Sequence, residues 1–427
     1  MSDNETGNTP SRRAFLRGAA AVGAGALATG AARAQSPDPL ITEIQPWAQG
    51  LGDGVDATPY GLPIQYEGDV IRRNVEWLTA DTVSSINFTP IHALDGTITP
   101  QGCAFERHHS GAIDLRKEDY RLMINGLVDT PLVFTYADLE RFPRENHVYF
   151  CECAANTGME WAGAQLNGAQ FTHGMIHNME YTGVPLRTLL EEAGLNMAGD
   201  LKDKWVFVEG ADASSNGRSI PMEKALDDVL VAFKANGEAL RKEHGYPVRL
   251  VVPGWEGNMW IKWIRRIEVT DAAVESREET SKYTDTLENG ISRKWTWAMD
   301  AKSVVTNPSP QAPITHGNGP LVITGLAWSG RGAITRVDVS KDGGKTWETA
   351  RLAKPGEKMA LTRFYLDTDW NGEEMMLQSR AMDDTGYVQP TKTQLRDVRG
   401  LNSIYHNNCI QTWLVRSNGE AENVEVS

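Results

Sequence analysis

The sequence predicts an α+β protein in which a mixed α/β domain precedes an immunoglobulin-like β-sandwich. Two observations lead to this fold class. Between about residue 86 and residue 275, segments with strand alternation are interspersed with segments of helical periodicity. From about residue 305 onward, strands and tight turns replace helical periodicity almost entirely. A chain of 427 residues is long enough for two or three domains with large buried cores.

Residues 1–34 carry the pattern of a twin-arginine export signal. Arg12 and Arg13 precede an apolar Ala/Gly run that ends in "ARA", a small-x-small cleavage site. The alternative is a basic, alanine-rich disordered tail. The twin-arginine route exports folded chains, often with a cofactor already inserted, so the sequence predicts a periplasmic protein with a cofactor. No later run of about 18 apolar residues occurs, and we expect no membrane span after cleavage.

The region from 35 to 300 divides into an irregular arm and the mixed domain. Residues 35–85 are rich in Pro, Gly and Gln, which is typical of an arm lying over a larger body. Residues 86–300 form the mixed domain. Its predicted elements are a half-buried strand in "HVYFCECA", helices in "VPLRTLLEEAGL" and "IPMEKALDDVLVAF", each beginning near a proline, and a short strand in "PVRLVVPGW".

Residues 306–427 are predicted to form the sandwich. "AITRVDVSKDGGKTWETARL" predicts two strands around a turn in which Gly343 and Gly344 supply positive φ angles. "MMLQSRAMDDTGYVQP" predicts another strand and turn. The charged segment "ESREETSKYTDTLENG" is interpreted as the connection between the two domains.

The charge balance restricts the class of partner. With 42 Lys and Arg against 56 Asp and Glu, the net charge is −14. This excess of negative charge argues against nucleic acid or an anionic membrane as the main partner. A small substrate or a protein is favoured instead.

Two of the four cysteines, Cys151 and Cys153, lie one residue apart in "CECAAN". This spacing does not allow an unstrained disulfide, and no second pair of Cys or His occurs at the spacing that a zinc site needs. Two interpretations stay open. Either one thiolate binds a soft, redox-active metal whose other ligands come from a cofactor, or the cysteine is buried and inert.

Basic residues cluster in "EHGYPVRLVVPGWEGNMWIKWI", which places His244, Arg249 and Lys262 around a short strand and a Pro-Gly turn. Together they can bind an anionic ligand such as a phosphate-bearing cofactor. His92 follows another short strand in "INFTPIHALDG", where a structural role is also open.

These segments resemble the sulfite oxidase family. "CECAAN" is similar to its Q-C-A-G-N motif, "EHGYPVRLVVPGWEGNMWIKW" to its D-H-G-F-P-V-R-V-V-V-P-G segment, and "GLAWSGRGAITRVDVSKDGGKTW" to the start of its C-terminal dimerisation domain. The resemblance implies a sulfite oxidase-like, molybdopterin-binding domain and molybdenum on molybdopterin, with Cys153 as the only protein ligand of the metal. It further implies that the cofactor is contacted by His92, Asp212, His244, Arg249, Trp260, Ile261 and Lys262.

The chain departs from the family pattern where the substrate would bind. Pro90 stands in place of one arginine, Thr157 and Gly158 in place of two more, and Asn216 in place of an active-site tyrosine before G-A-S-I-P. Asn216 and Arg331, in "WSGRGA", are therefore the candidate catalytic side chains beside Cys153.

This pattern resembles the sulfane dehydrogenase branch of the family, which works in the Sox thiosulfate-oxidising system. The resemblance implies oxygen-atom transfer to sulfur bound to a carrier-protein cysteine. The resemblance also implies a diheme c-type cytochrome as partner. The chain lacks a C-x-x-C-H heme motif, so we expect no heme in it and electron transfer to another polypeptide. A homodimer within a heterotetramer is implied as well. The alternatives are a sulfite dehydrogenase acting on free sulfite, a cofactor-free adhesion protein and a zinc hydrolase.

Overall fold

The computed structural model describes Leu51 and residues 62–78, 81–214 and 216–426. The predicted export signal and the first part of the predicted arm lie outside these residues. The chain divides into two compact units, 1–63 and 64–427, and all elements below belong to the second unit. Within the described ranges no helix is long and apolar enough to cross a membrane.

The α-helices in the described ranges are short, so β-sheets dominate the fold. Their bounds are α1 (Tyr136–Leu139), α2 (Ala169–His173), α3 (Leu186–Glu192), α4 (Met222–Asp227), α5 (Arg277–Thr280) and α6 (Lys392–Arg399).

The strands of the first region build two mixed or antiparallel sheets and one hairpin. They are β1 (Arg121–Gly126), β2 (Leu132–Thr135), β3 (Glu145–Glu152), β4 (Ile176–Pro185), β5 (Trp205–Gly210), β6 (Gly217–Pro221), β7 (Leu230–Ala235), β8 (Glu238–Ala239), β9 (Arg249–Val251), β10 (Ile264–Thr270), β11 (Asp285–Thr286) and β12 (Ser292–Arg293). One sheet has the order β2-β1-β10-β5-β6, in which β1 and β10 are parallel. The other has the order β3-β4-β7-β8, with β9 paired to β7.

The C-terminal region contains two antiparallel sheets and confirms the predicted sandwich. Its strands are β13 (Lys302–Asn307), β14 (Gly319–Trp328), β15 (Ile334–Ser340), β16 (Glu348–Thr349), β17 (Arg351–Leu352), β18 (Thr362–Trp370), β19 (Met375–Asp383), β20 (Thr412–Val415) and β21 (Ala421–Val424). The sheet orders are β13-β14-β18-β17 and β16-β15-β19-β20-β21. Gly343 and Gly344 have the expected positive φ angles of 74° and 90°.

Of the two predicted helices, the first is confirmed and the second is correct only in its first half. Helix α3 begins directly after Pro185 and is followed by Gly194 at a φ of 79°, as its sequence predicts. The helix predicted through "IPMEKALDDVLVAF" is wrong in its second half, because α4 ends at Asp227 and Leu230 begins strand β7. The β-branched, apolar run after the two aspartates pairs with β4 and β9, and this tertiary pairing prevails over helical spacing.

Candidate functional site

A single cavity in the first region gathers most of the residues that the sequence singles out. Its wall includes both cysteines of "CECAAN", basic residues from the "EHGYPVRLVVPG" segment, and side chains from distant loops. The lining residues are Phe105, Glu106, Arg107, His109, Cys151, Cys153, His177, Asn216, Glu243, His244, Arg249, Gly257, Asn258, Trp260, Ile261, Lys262 and Tyr283.

Strand β3 brings the two cysteines to this cavity. Cys151 lies in the strand and is buried, and Cys153 follows the strand end and is half-buried. Both are free thiols, as the spacing predicts. Burial raises the pKa of the Cys151 thiol to about 12, so this group is a neutral packing residue. The backbone N–H of Cys153 donates to Met175 O (3.0 Å), and its carbonyl accepts from the Asn156 N–H (2.9 Å), which fixes the turn that presents the second thiol.

Glu152, between the two cysteines, belongs to a buried network reaching into the C-terminal sandwich. Its carboxylate accepts from Lys302 Nζ (2.9 Å), Trp328 Nε1 (2.7 Å) and Asn156 Nδ2 (2.9 Å). Glu152 is 0% exposed and Lys302 is 1% exposed. Asn156 Oδ1 also accepts from the Met175 N–H (3.1 Å). The network therefore holds the turn at Cys153 from the side opposite the cavity.

Two cations of the cavity wall, Arg249 and Lys262, have no carboxylate partner among the described residues. Arg249 donates to backbone carbonyls, including His244 O (3.3 Å) and Trp260 O (3.2 Å), and also hydrogen-bonds to the Cys151 thiol. Lys262 Nζ donates to Glu243 O (3.0 Å) and Arg107 O (3.2 Å). Burial and the nearby Arg249 lower the pKa of Lys262 to about 7. A buried Arg249 and a half-buried Lys262 close together are costly alone and are stabilised by an anionic ligand.

Several polar atoms of the wall have no hydrogen-bond partner in the described part of the chain. They are buried and comprise His177 Nδ1, Asn216 Oδ1, and both side-chain polar atoms of Asn258. Buried polar atoms are normally paired, so their clustering at one cavity points to a polar ligand that binds there. Gly257 completes the wall, because a Cβ at this position would lie 3.2 Å from Cys151 Sγ and 2.9 Å from Glu152 O.

Comparison with known proteins agrees with this geometry. Residues 109–278 match the model of the oxidoreductase molybdopterin binding domain, and residues 293–413 match the Mo-co oxidoreductase dimerisation domain. Sulfite oxidase of Gallus gallus is 32% identical over 340 residues, covering 72% of each chain. The chain belongs to the sulfite oxidase family. It is therefore an enzyme, a molybdopterin oxidoreductase, and the predicted fold class is confirmed.

Two further known proteins are similar to this chain. Mitochondrial sulfite oxidase of Mus musculus is 30% identical over 373 residues, which cover 80% of this chain and 66% of the mouse protein. The crystal structure of the sulfane dehydrogenase SoxCD from Paracoccus pantotrophus is 71% identical, with a TM-score of 0.89. The match covers 92% of this chain and 100% of that chain.

The cavity residues fit the molybdenum-molybdopterin cofactor of the sulfite oxidase family. The unpaired cations Arg249 and Lys262 suit its phosphate, and the partnerless His177, Asn216 and Asn258 atoms suit the donors and acceptors of a pterin ring. A free thiol at Cys153 suits a soft metal. The chemistry of this donor set and the family match point to the same group.

The structure brings together seven of the predicted site residues. Cys153, Asn216, His244, Arg249, Trp260, Ile261 and Lys262 line the cavity. Asp212 lines a smaller adjoining cavity with Asn216 and Lys262.

Two predicted site residues line neither cavity. His92 is half-buried and its Nδ1 has no partner among the described residues. Arg331 is 47% exposed and pairs with Asp300 at 2.5 Å. The roles assigned to these side chains stay predictions.

Sequence reasoning missed other residues of the wall, among them Arg107, His109, His177, Asn258 and Tyr283. The run "ERHHS" around Arg107 is a cationic cluster that could have drawn attention. Burial and Arg107 lower the pKa of His109 to about 4, so this imidazole is neutral. Tyr283 lies in the segment interpreted only as a connection.

Proposed function

We propose that this molybdenum oxidoreductase oxidises sulfane sulfur bound to a cysteine of a carrier protein, with water as the oxygen source. We further propose that it acts in the periplasm, as a homodimer within a heterotetramer, and passes electrons to a diheme c-type cytochrome. The observation that carries this proposal is the replacement of family arginines by Pro90, Thr157 and Gly158, together with the lack of space for a side chain at Gly158. The 71% identity to a sulfane dehydrogenase supports the same conclusion.

Position 158 is the clearest case of such replacement. A Cβ at Gly158 would lie 2.6 Å from the carbonyl oxygen of Ile404, so no side chain fits there without a shift of the backbone. Thr157 is buried and has a φ of 66°. Free sulfite is a dianion, and its desolvation needs fixed cations nearby. A sulfur atom attached to a carrier cysteine has less charge and makes less demand on such cations.

Different residues of the site would bind different parts of the cofactor. Cys153 would hold molybdenum through its thiolate, and Arg249 and Lys262 would hold the phosphate of the cofactor. His244 and His177 would orient the pterin, and the buried Trp260 excludes water from the cavity. When bound, the cofactor supplies the oxygen atom that is transferred to sulfur and accepts two electrons.

Sulfite dehydrogenase activity is the second candidate, favoured by 30–32% identity to sulfite oxidases and by the cations of the wall. Steady-state kinetics of the molybdenum-loaded enzyme distinguish the two. We expect kcat/KM for a persulfidated cysteine peptide to exceed that for free sulfite by at least about tenfold, or about 1.4 kcal/mol of transition-state binding. A higher kcat/KM for sulfite would support the second candidate instead.

A further inference from the structure

Residues 70–73, called the strap below, connect separate parts of the first region. The backbone of Arg73 exchanges hydrogen bonds with that of Phe88 (3.3 Å and 3.0 Å), and Ile71 O accepts from Gln170 Nε2 (3.0 Å). All four strap side chains are described, and none of them is buried. Polar contacts at the surface therefore hold the strap, and segments held in this way open at a low free-energy cost.

Arg72 is the strap residue that reaches the wall of the cofactor cavity. Its guanidinium lies 3.1 Å from Glu106 Oε1 and 3.2 Å from Glu243 Oε1, and both of these residues line the cavity. It also donates to the carbonyl of Ala104 (3.3 Å). The three charged side chains are only 19–20% exposed, so solvent screens these ion pairs less than pairs at an open surface. One cation thus links two wall segments that are distant in the chain.

Both carboxylate partners of Arg72 also hold Lys262, the residue proposed above to bind the phosphate of the cofactor. The carbonyl of Glu243 accepts from Lys262 Nζ (3.0 Å). Glu106 acts through a histidine, because its Oε2 lies 2.7 Å from His108 Nε2. His108 Nδ1 in turn lies 3.0 Å from Lys262 Nζ. A shift of either carboxylate residue would therefore move the acceptors that orient the ammonium.

The protonation states of these groups agree with this chain of hydrogen bonds. Burial lowers the pKa of His108, so its imidazole is uncharged at pH 7. An uncharged imidazole between a carboxylate and an ammonium donates from Nε2 and accepts at Nδ1. Burial opposes ionisation of Glu106, but the hydrogen bond from His108 and the charge of Arg72 lower its pKa to about 2. The result is one directed network that begins in the strap and ends at Lys262.

We propose that the strap is a latch on the cofactor cavity, and that Arg72 is a positioning residue that keeps Lys262 aligned with the phosphate of the cofactor. With Arg72 docked, Glu106 and Glu243 share one cation and hold the ammonium from two sides. With Arg72 undocked, the two wall segments are no longer joined, and the cofactor dissociates faster. This inference goes beyond the proposed function, because it concerns retention of the cofactor and does not depend on the identity of the sulfur substrate.

The direct test measures how fast the loaded protein loses its cofactor. Wild type and Arg72→Met are incubated below the melting temperature, and the molybdenum that stays with the protein after gel filtration is measured over time. We expect Arg72→Met to lose molybdenum about 10-fold faster, since removal of a supporting contact at a metal site costs about 10–100-fold. Arg73→Met is the matched control, because the Arg73 side chain lies in the same strap but contacts Asp69 O (3.2 Å), and it should lose molybdenum at the wild-type rate. Equal rates for Arg72→Met and wild type would overturn the proposal.

Two further variants separate a latch from a general loss of stability. Arg72→Lys keeps the charge but lacks the planar fork that spans both carboxylates, so its rate of molybdenum loss should lie between those of wild type and Arg72→Met. Adding Glu243→Gln to Arg72→Met should cause little further acceleration, because both substitutions remove the same contact. Full multiplication of the two effects would show that Arg72 does not act through Glu243. The melting temperature of cofactor-free Arg72→Met should stay within a few degrees of wild type, and a large decrease would assign Arg72 a purely structural role.

Limited digestion with trypsin provides the reciprocal measurement and needs no turnover. If docking of the strap retains the cofactor, the cofactor must in turn favour the docked strap. Cleavage after Arg73 should therefore be about 10-fold faster in cofactor-free than in loaded wild type, because cleavage follows the population of the open strap. Cleavage after Lys345, in an exposed turn of the sandwich, is the control and should not differ between the two forms. Equal cleavage after Arg73 with and without cofactor would contradict the latch.

Discussion

The thiol of Cys153 lies at the end of a strand, fixed by backbone hydrogen bonds on both sides and facing a cavity of cations. A serine at this position preserves these backbone contacts, and its hydroxyl can accept from the Ala155 N–H that the thiol contacts. The melting temperature of Cys153→Ser should therefore lie within a few degrees of the wild-type value. We expect its kcat to fall at least 100-fold, since even supporting contacts at metal sites cost about 10–100-fold.

Cys103→Ser is the control for that substitution, because Cys103 is also half-buried but contacts Val70 O (3.6 Å) away from the cavity. It should keep both activity and molybdenum content. Activity and thermal melting of the two variants, measured side by side, separate loss of a metal ligand from loss of a cysteine. A Cys153→Ser enzyme with near-normal kcat would remove Cys153 from the metal site.

Lys262 makes a second prediction at the residue scale, for the cofactor-free protein. Burial and Arg249 lower its pKa in the folded chain to about 7, against an ordinary value of 10.5. Below pH 7 the Lys262 side chain is protonated in both the folded and the unfolded chain. Between pH 7 and about 8, the unfolded chain binds it more strongly, so the free energy of unfolding rises with pH, by up to about 1.4 kcal/mol per unit.

Chemical denaturation of cofactor-free wild type and Lys262→Met at several pH values measures this contribution. The free energy of unfolding of wild type minus that of Lys262→Met should increase as pH rises from 7 to 8. The shift should vanish in the loaded protein, where a phosphate keeps Lys262 charged. If this difference did not depend on pH in the cofactor-free protein, the pKa of Lys262 would not be lowered in the folded chain.

At the scale of elements, strand β3 is held by the sandwich through the Glu152–Lys302 pair. Removing one member of a buried ion pair leaves an uncompensated charge and typically costs about 3–5 kcal/mol. Lys302→Met should lower the free energy of unfolding by that amount. The double variant Glu152→Gln/Lys302→Met leaves no unpaired charge and should recover most of the loss, as denaturation curves would show. A double variant as unstable as Lys302→Met would contradict the pairing.

Elements with strong local signals were predictable from sequence. Helix α3 has both a proline at its start and a glycine after its end, and the turn at Gly343 has two adjacent glycines. Helix α4 lacked a clear end signal, and its true end at Asp227 is set by the pairing of β7 in a sheet. Helix α6 was missed within the predicted sandwich. Local periodicity carries no information about pairing between distant strands, so helix boundaries that depend on such pairing cannot be predicted from the sequence.

Some residues of the candidate site could be predicted from sequence motifs, and others could not. Cys153, Arg249 and Lys262 lie in contiguous motifs, so their chemistry and spacing were visible in sequence. Tyr283 and Arg107 reach the cavity only through the three-dimensional fold. The loss of space at Gly158 was equally hidden, because Ile404, nearly 250 positions away, occupies it. Residues that meet through tertiary packing carry no pattern that relates them in the chain.

At the scale of the whole molecule, we propose that the protein is exported after it has folded. The cavity wall is assembled from positions between 105 and 283, and the Glu152–Lys302 pair links it to the sandwich. A cofactor in this cavity would contact residues from many positions of the folded chain, which favours the proposed export of the folded protein. Arg12→Lys/Arg13→Lys preserves charge but removes the twin-arginine pattern. We expect loaded enzyme to accumulate in the cytoplasm, measured by molybdenum and activity in each cell fraction. Arg17→Lys should be exported normally, and export of the doubly substituted chain at the wild-type level would exclude the twin-arginine route.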